Sequence, residues 1–152
     1  MMSSDTAPAV IDRRCVMAAC TNATRRELEY ALLSLGKLPP ATDLRAAESG
    51  LVMVRGRMGG DGRAFNLGEA SVTRAAVRLD DGRLGFAYQL GRDRDKARSA
   101  AMLDALWQGE ERAAVEAALA PVRARLTADL ARQARQVAAT KVEFFTMVRG
   151  ED

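Results

Sequence analysis

Between two apolar runs of this chain stands the dipeptide Asp81-Gly82, and no other feature restricts the fold as much. Asp-Gly favours the type I′ turn, whose twist matches that of paired strands, so its flanks are expected to form an antiparallel hairpin. With these two residues as the turn, Leu79 faces Leu84, Val77 faces Phe86, Ala75 faces Tyr88 and Thr73 faces Leu90. One face is then mostly apolar. The opposite face carries Arg74 and Arg78 with Gln89 and Gly85. Both patterns support one register, because a slip of one residue would exchange the faces.

The rest of the chain builds around that hairpin. Leu51 to Met58 alternates, with Val52, Val54, Gly56 and Met58 on one side and Arg55 and Arg57 on the other. Met58-Gly59-Gly60-Asp61-Gly62 reads as a flexible turn into a further strand, Arg63 to Leu67. Upstream, Ile11, Cys15, Ala18 and Ala19, then Leu28, Ala31, Leu32 and Leu35, recur at helical spacing with a break at Thr21 to Thr24 and an end at Gly36. Pro39-Pro40 excludes further helix there. Downstream, Asp93 is placed to cap a helix with the stripe Ala97, Ala100, Leu103 and Trp107. A short helix, Glu110 to Ala120, follows, and Pro121 suits the first position of a long last helix with the stripe Val122, Leu126, Leu130, Ala134 and Val137. The expected fold is α+β: N-terminal helices, a four-stranded antiparallel sheet and a C-terminal helical layer ending in a long helix. At 152 residues it is one domain, with residues 1–9 expected to be disordered.

Composition narrows the chemistry. The chain has no histidine, which removes the commonest general base, the Ser-His and Cys-His dyads and the commonest metal ligand. Cys15 and Cys20 are five apart, fit neither a CxxC pair nor a zinc site, and are too few for an iron-sulfur cluster. They are read as reduced thiols. The net charge of +3 is spread along the chain, and 20 of the 23 basic residues are Arg. That excess supports a basic nucleic-acid-binding module only weakly, since seven aromatic residues and no groove-reading motif accompany it. No apolar run approaches a membrane span or a secretory signal, so the expected address is the cytoplasm. Of the apolar residues 29 are Ala, so the core is thin and the chain suits a partner surface.

Several stretches resemble one family. They are Arg45 to Gly60, containing Glu48, Arg55, Arg57 and Gly59; Gly68-Glu69-Ala70; Thr73 to Arg78; Gly91-Arg92-Asp93; Asp104 to Leu106; and the run Lys141 to Gly150 with Phe144, Phe145, Met147 and Arg149. Together they are similar to the G subunit of the bacterial carbon-phosphorus lyase system, the PhnG family. Phe86 stands where members often carry Tyr or His, so no role needing a ring nitrogen or hydroxyl carries over there. The resemblance implies a core complex with the H, I and J subunits. With an ATP-binding-cassette-like L subunit, that complex would replace the adenine of ATP by methylphosphonate, giving α-D-ribose 1-methylphosphonate 5-triphosphate. S-adenosylmethionine and an iron-sulfur cluster would serve the later cleavage in the J subunit, leaving no cofactor to this chain.

No residue is assigned a catalytic role or a metal. Glycosyl transfer needs a carboxylate at the sugar and often an acid for the leaving base, and nothing pairs Glu48, Glu69 and Asp104 on one face. Gly59 and Gly60 lie in a loop that lacks the Lys-Ser/Thr ending of a phosphate-binding loop. The interface or ligand candidates are therefore Arg45, Glu48, Arg55, Arg57, Gly59, Gly60, Arg74, Arg78, Arg92, Asp93, Phe144, Phe145, Met147 and Arg149. Arg55, Arg57, Arg74 and Arg78 are expected to point away from the core, toward solvent, a partner or, less directly, a ligand. The apolar end around Phe144 and Phe145 is expected to be covered by another subunit.

Overall fold

The structure, a computed structural model, describes residues 6–140, with side-chain surroundings from Asp12 onward. The candidates Phe144, Phe145, Met147 and Arg149 lie outside the described residues. The elements are α1 (Thr6–Asn22), α2 (Arg25–Ser34), β1 (Ala41–Arg57), β2 (Ala64–Leu79), β3 (Leu84–Leu90), α3 (Arg94–Trp107) and α4 (Arg112–Ala139). Helix α1 begins at Thr6, inside the stretch expected to be disordered.

The helix starts follow from local chemistry. Thr24 caps α2 in a full capping box: its hydroxyl accepts from the Glu27 N–H, and the Glu27 carboxylate accepts from the Thr24 N–H. Asp93 caps α3 by accepting from the Lys96 N–H at 2.9 Å.

The sheet is antiparallel in the order β1-β2-β3, so it has three strands and not the expected four. Arg63 to Leu67 and Thr73 to Leu79 are not separate strands. Gly68 does not interrupt the chain, because Val54 pairs opposite it and β2 runs unbroken from Ala64 to Leu79. Strand β1 likewise starts at Ala41, well before Leu51. Register shifts at Asp43/Arg45 and Arg45/Glu48 hide its alternation in the sequence.

The hairpin exists, but its register is displaced by one residue. Arg78 faces Leu84, Val77 faces Gly85, Ala76 faces Phe86, Ala75 faces Ala87, Arg74 faces Tyr88 and Thr73 faces Gln89. The loop has three residues, Asp80-Asp81-Gly82, closed by the Gly82 N–H to the Leu79 carbonyl and the Leu79 N–H to the Arg83 carbonyl. Gly82 has φ 92°, the left-handed position of a three-residue hairpin loop. The core face therefore carries Thr73, Ala75, Val77 and Leu79 with Gly85, Ala87 and Gln89. Leu84, Phe86, Tyr88 and Leu90, expected inside, lie on the outer face.

Packing explains the choice. Helix α3 lies directly on the inner face, so close that a Cβ at Gly85 would overlap the Ala101 carbonyl oxygen and sit 2.8 Å from the Ala105 Cβ. A phenyl ring at that position would push the helix off the sheet. Helix α3 is covered by α1, α2 and α4 as well, and Ala100 to Trp107 are all buried. From Ala100 onward the helix is surrounded in this way and, Asp104 apart, apolar on every side, and the many Ala residues allow the close approach.

Helix α4 is continuous through Pro121, so the expected break there is absent. The exposed ring replaces one backbone N–H and leaves one carbonyl of the preceding turn without its helical donor. Val115, Leu119 and Val122 are buried and Leu126 packs against the core, but Leu130 and Val137 are exposed. The second half of the expected stripe thus meets nothing within the described residues.

Candidate functional site

The outer face of the sheet collects four large apolar side chains that are exposed. Leu84, Phe86, Tyr88 and Leu90 stand on β3, with Phe86 45%, Tyr88 54% and Leu90 72% exposed. Their neighbours across the strand pair are Arg78, Ala76, Arg74 and Val72. Rows of large apolar residues beside guanidinium groups suit contact with another polypeptide better than with water.

The carboxylate of Glu48 ties the predicted charged residues together. Its Oε1 accepts from Arg45 Nη1 at 2.5 Å and from Arg74 Nε at 2.7 Å. These bonds, that from Arg45 first, hold the Glu48 carboxyl below its ordinary pKa. Glu48 and Arg74 also border a bay of about 240 Å³ with Gly50, Val52, Val72 and Tyr88. Gly50, with no side chain, leaves the gap between Glu48 and Val52.

The other candidates separate from this cluster. Arg78 makes no ion pair among the described residues and stands on the same outer face, opposite Leu84. Arg92 donates to the Ser71 Oγ at 3.3 Å, and Asp93 serves as the cap of α3. Arg55 and Arg57 lie past the end of β3, where no core face exists for them to oppose. Gly59 and Gly60 occupy left-handed positions in the turn after β1, with φ 63° and 85°. That turn bonds to itself, the Gly62 N–H donating to the Met58 carbonyl and Arg57 to the Gly62 carbonyl.

Asp104, which the sequence offers only as one of three carboxylates with no pairing among them, forms an inner polar centre with Arg13 that the sequence does not predict. Asp104 is 1% exposed and receives two hydrogen bonds of 2.8 Å from Arg13, together with the Phe86 N–H at 2.9 Å. It joins α1 to α3 and satisfies a backbone donor on the free edge of β3, while Gln108 donates to the Leu84 carbonyl beside it. An acid between Leu103 and Leu106, in the otherwise apolar run Ala100 to Trp107, was the available signal. Nearby, Gln89 donates weakly to the Cys20 carbonyl at 3.4 Å, and its own Oε1 has no protein partner. A cavity of about 50 Å³ beside it is large enough for a water. Burial, and secondarily Asp104, pushes the Cys20 thiol up to about 12, so it is inert at neutral pH.

These groups do not assemble a catalytic set. Glu48 and Asp104 are both engaged by Arg, and Glu69 stands on the two-stranded extension opposite Met53. Among the described residues no group of three or more Cys, Asp or Glu is arranged to hold a metal ion. No helix among them is long and apolar enough to cross a membrane.

Comparison with known proteins supplies the context for this arrangement. The family described as phosphonate metabolism protein PhnG matches residues 11–150. The chain belongs to this family. A relative in Rhizobium meliloti (strain 1021), α-D-ribose 1-methylphosphonate 5-triphosphate synthase subunit PhnG, is 50% identical over 144 residues, covering 94% of this chain and 92% of its own. Membership agrees with the stretches Arg45 to Gly60, Thr73 to Arg78 and Lys141 to Gly150 that carry the resemblance.

Proposed function

We propose that this chain is a subunit of an α-D-ribose 1-methylphosphonate 5-triphosphate synthase in phosphonate catabolism, and that its part is to build the complex, not to perform the chemistry. The observation that carries this reading is the outer sheet face, where Leu84, Phe86, Tyr88 and Leu90 stand uncovered beside Arg74 and Arg78. Full burial of such side chains from water contributes about 1.5 to 3 kcal/mol each; since these are already partly covered, at 37% to 72% exposure, association would gain roughly half of that. The Arg45-Glu48-Arg74 cluster at its margin would fix orientation through bidentate or bridged contacts with a partner carboxylate. The name of the Rhizobium meliloti relative supports the reaction.

In this reading the partners are the H, I and J subunits, with the ATP-binding-cassette-like L subunit in the first step, in the cytoplasm. ATP and methylphosphonate bind mainly to those partners. S-adenosylmethionine and the iron-sulfur cluster belong to the later step in the J subunit. Displacement of adenine requires charge stabilisation at the sugar and protonation of the leaving base. The sequence offers no histidine, and the engaged carboxylates Glu48 and Asp104 are poor candidates for either task.

The test is to express the chain alone and with the H, I and J subunits, measuring assembly size and turnover of ATP with methylphosphonate. A stable joint complex, with turnover only in the presence of the other subunits, is expected. Turnover by the isolated chain, or a monomer with no affinity for the other subunits, overturns the reading.

A further inference from the structure

Strand β3 ends at Leu90 opposite Val72, but β1 and β2 continue alone, residues 51–57 against 64–71. The result is a two-stranded ribbon closed by the turn at 58–63. A lone two-stranded ribbon is marginal in water, and this one leaves large apolar side chains uncovered: Leu51, Met53, Phe65, Leu67 at 63% and Met58 at 77% exposure. Pairing puts Leu51 and Met53 on one face and Val52 and Val54 on the other. A single flat surface cannot cover both. Near the tip stand Arg55, Arg57 and Arg63 against one acid, Asp61, and none of the three Arg makes an ion pair among the described residues.

We propose that residues 51–71 are a docking arm that enters a cleft of a different subunit, a cleft apolar along its walls and lined with carboxylates where the arm's tip lies. The inference rests on the subunit reading and adds the means of attachment. Three features select this occupant. A second copy would bring two basic tips together in a protein already carrying net charge +3. A lipid interior would leave the backbone N–H and C=O groups on both ribbon edges unpaired, which hydrocarbon does not tolerate. Nucleic acid is read by polar side chains at base edges, whereas Leu51, Met53 and Leu67 offer only apolar surface. A protein cleft can cover both faces, pair the edges by strand addition and neutralise the tip.

The experiment uses the full chain co-expressed with the H, I and J subunits. Amide hydrogen exchange over 51–57 and 64–71 is expected to slow at least tenfold on assembly. The double variant Met53→Ser/Leu67→Ser is expected to weaken assembly at least tenfold while the melting of the isolated chain stays within a few degrees. Arg55→Glu/Arg57→Glu, which leaves the apolar surface intact, should also weaken assembly and remove part of its salt sensitivity. The arm is ruled out if its amides exchange equally fast alone and assembled. It is equally ruled out if the isolated chain forms a dimer that protects them, or if phosphatidylserine vesicles or duplex DNA protect them in place of the subunits. If Tyr88→Asp blocks assembly and both arm variants leave it intact, the arm falls and the subunit reading stands. If the wild-type chain fails to assemble at all, both fall together.

Discussion

The two faces of the sheet are built from the same three strands and follow opposite rules. Inside, where α3 presses closest, side chains are small: Gly85 and Ala87 on β3 face Val77 and Ala75 on β2, and the backbone of α3 rests on Gly85. Outside, the same stretch of β3 carries Leu84, Phe86, Tyr88 and Leu90, exposed by 37% to 72%. At Gly85 and Ala87 the small residues are buried while their large neighbours Leu84, Phe86 and Tyr88 are more exposed, the reverse of an ordering by size and hydrophobicity. The difference teaches that closeness of approach, not apolar content, decides which face a helix takes. The apolar bulk left over is available to a different chain.

The strongest way to break the comparison is to enlarge the inner face. Gly85→Val should cost more than about 4 kcal/mol, because the new side chain would meet the backbone of α3 at Ala101 and Ala105. Circular dichroism should show no cooperative melt on heating from about 25 °C. Next is Asp104→Ala, which orphans the Phe86 N–H and leaves Arg13 without its partner. Since Arg13 remains one-third exposed, the cost is about 3 kcal/mol, at the lower end for a broken buried pair, and chemical denaturation would read it.

A smaller effect is expected at the margin of the helical layer. The Glu27 carboxyl is lowered to about 2, chiefly by its hydrogen bonds from Arg125. A folded pKa below the unfolded one stabilises the protein above about pH 4.5 and loses that contribution as pH falls toward 2. After allowance for solvent screening the amount is about 1 kcal/mol. Glu27→Gln should flatten that part of the stability curve in denaturant titrations from pH 6 to pH 2. Least affected is the outer face of the isolated chain: Tyr88→Ser and Leu90→Ser should each alter its stability by no more than about 0.5 kcal/mol. Size-exclusion chromatography with the proposed partner subunits H, I and J should nevertheless show reduced assembly for both variants. An outer-face substitution that melts the lone chain would show that the two faces are less independent than drawn here.

Local signals made much of this legible. The break before Arg25, the Asp93 cap, the α3 stripe and a hairpin at Asp81-Gly82 all depend on residues within a few positions of one another. The register did not. Two-residue and three-residue loops are both compatible with Asp80-Asp81-Gly82, and each gives an amphipathic pairing. What separates them is the approach of α3 to Gly85, a contact between distant parts of the chain. The same cause misplaced the apolar surface: Arg74 and Arg78 were correctly directed outward, but Phe86 and Tyr88 belong beside them and not beneath. The Arg45-Glu48-Arg74 grouping needed the shifted pairing of β1, which alternation alone could not supply.

The ribbon beyond Leu90 also bears on how such a chain survives its own synthesis. Its exposed edges and uncovered Leu, Met and Phe side chains are the ingredients of intermolecular cross-β stacking. The basic tip opposes orderly pairing of two copies, but a partly unfolded excess copy would still present this edge to aggregation. Balanced production of all the subunits, or a chaperone that shields residues 51–71, becomes a requirement for yield. Adding a charge at Leu67 should raise the solubility of the orphan chain at the expense of its incorporation.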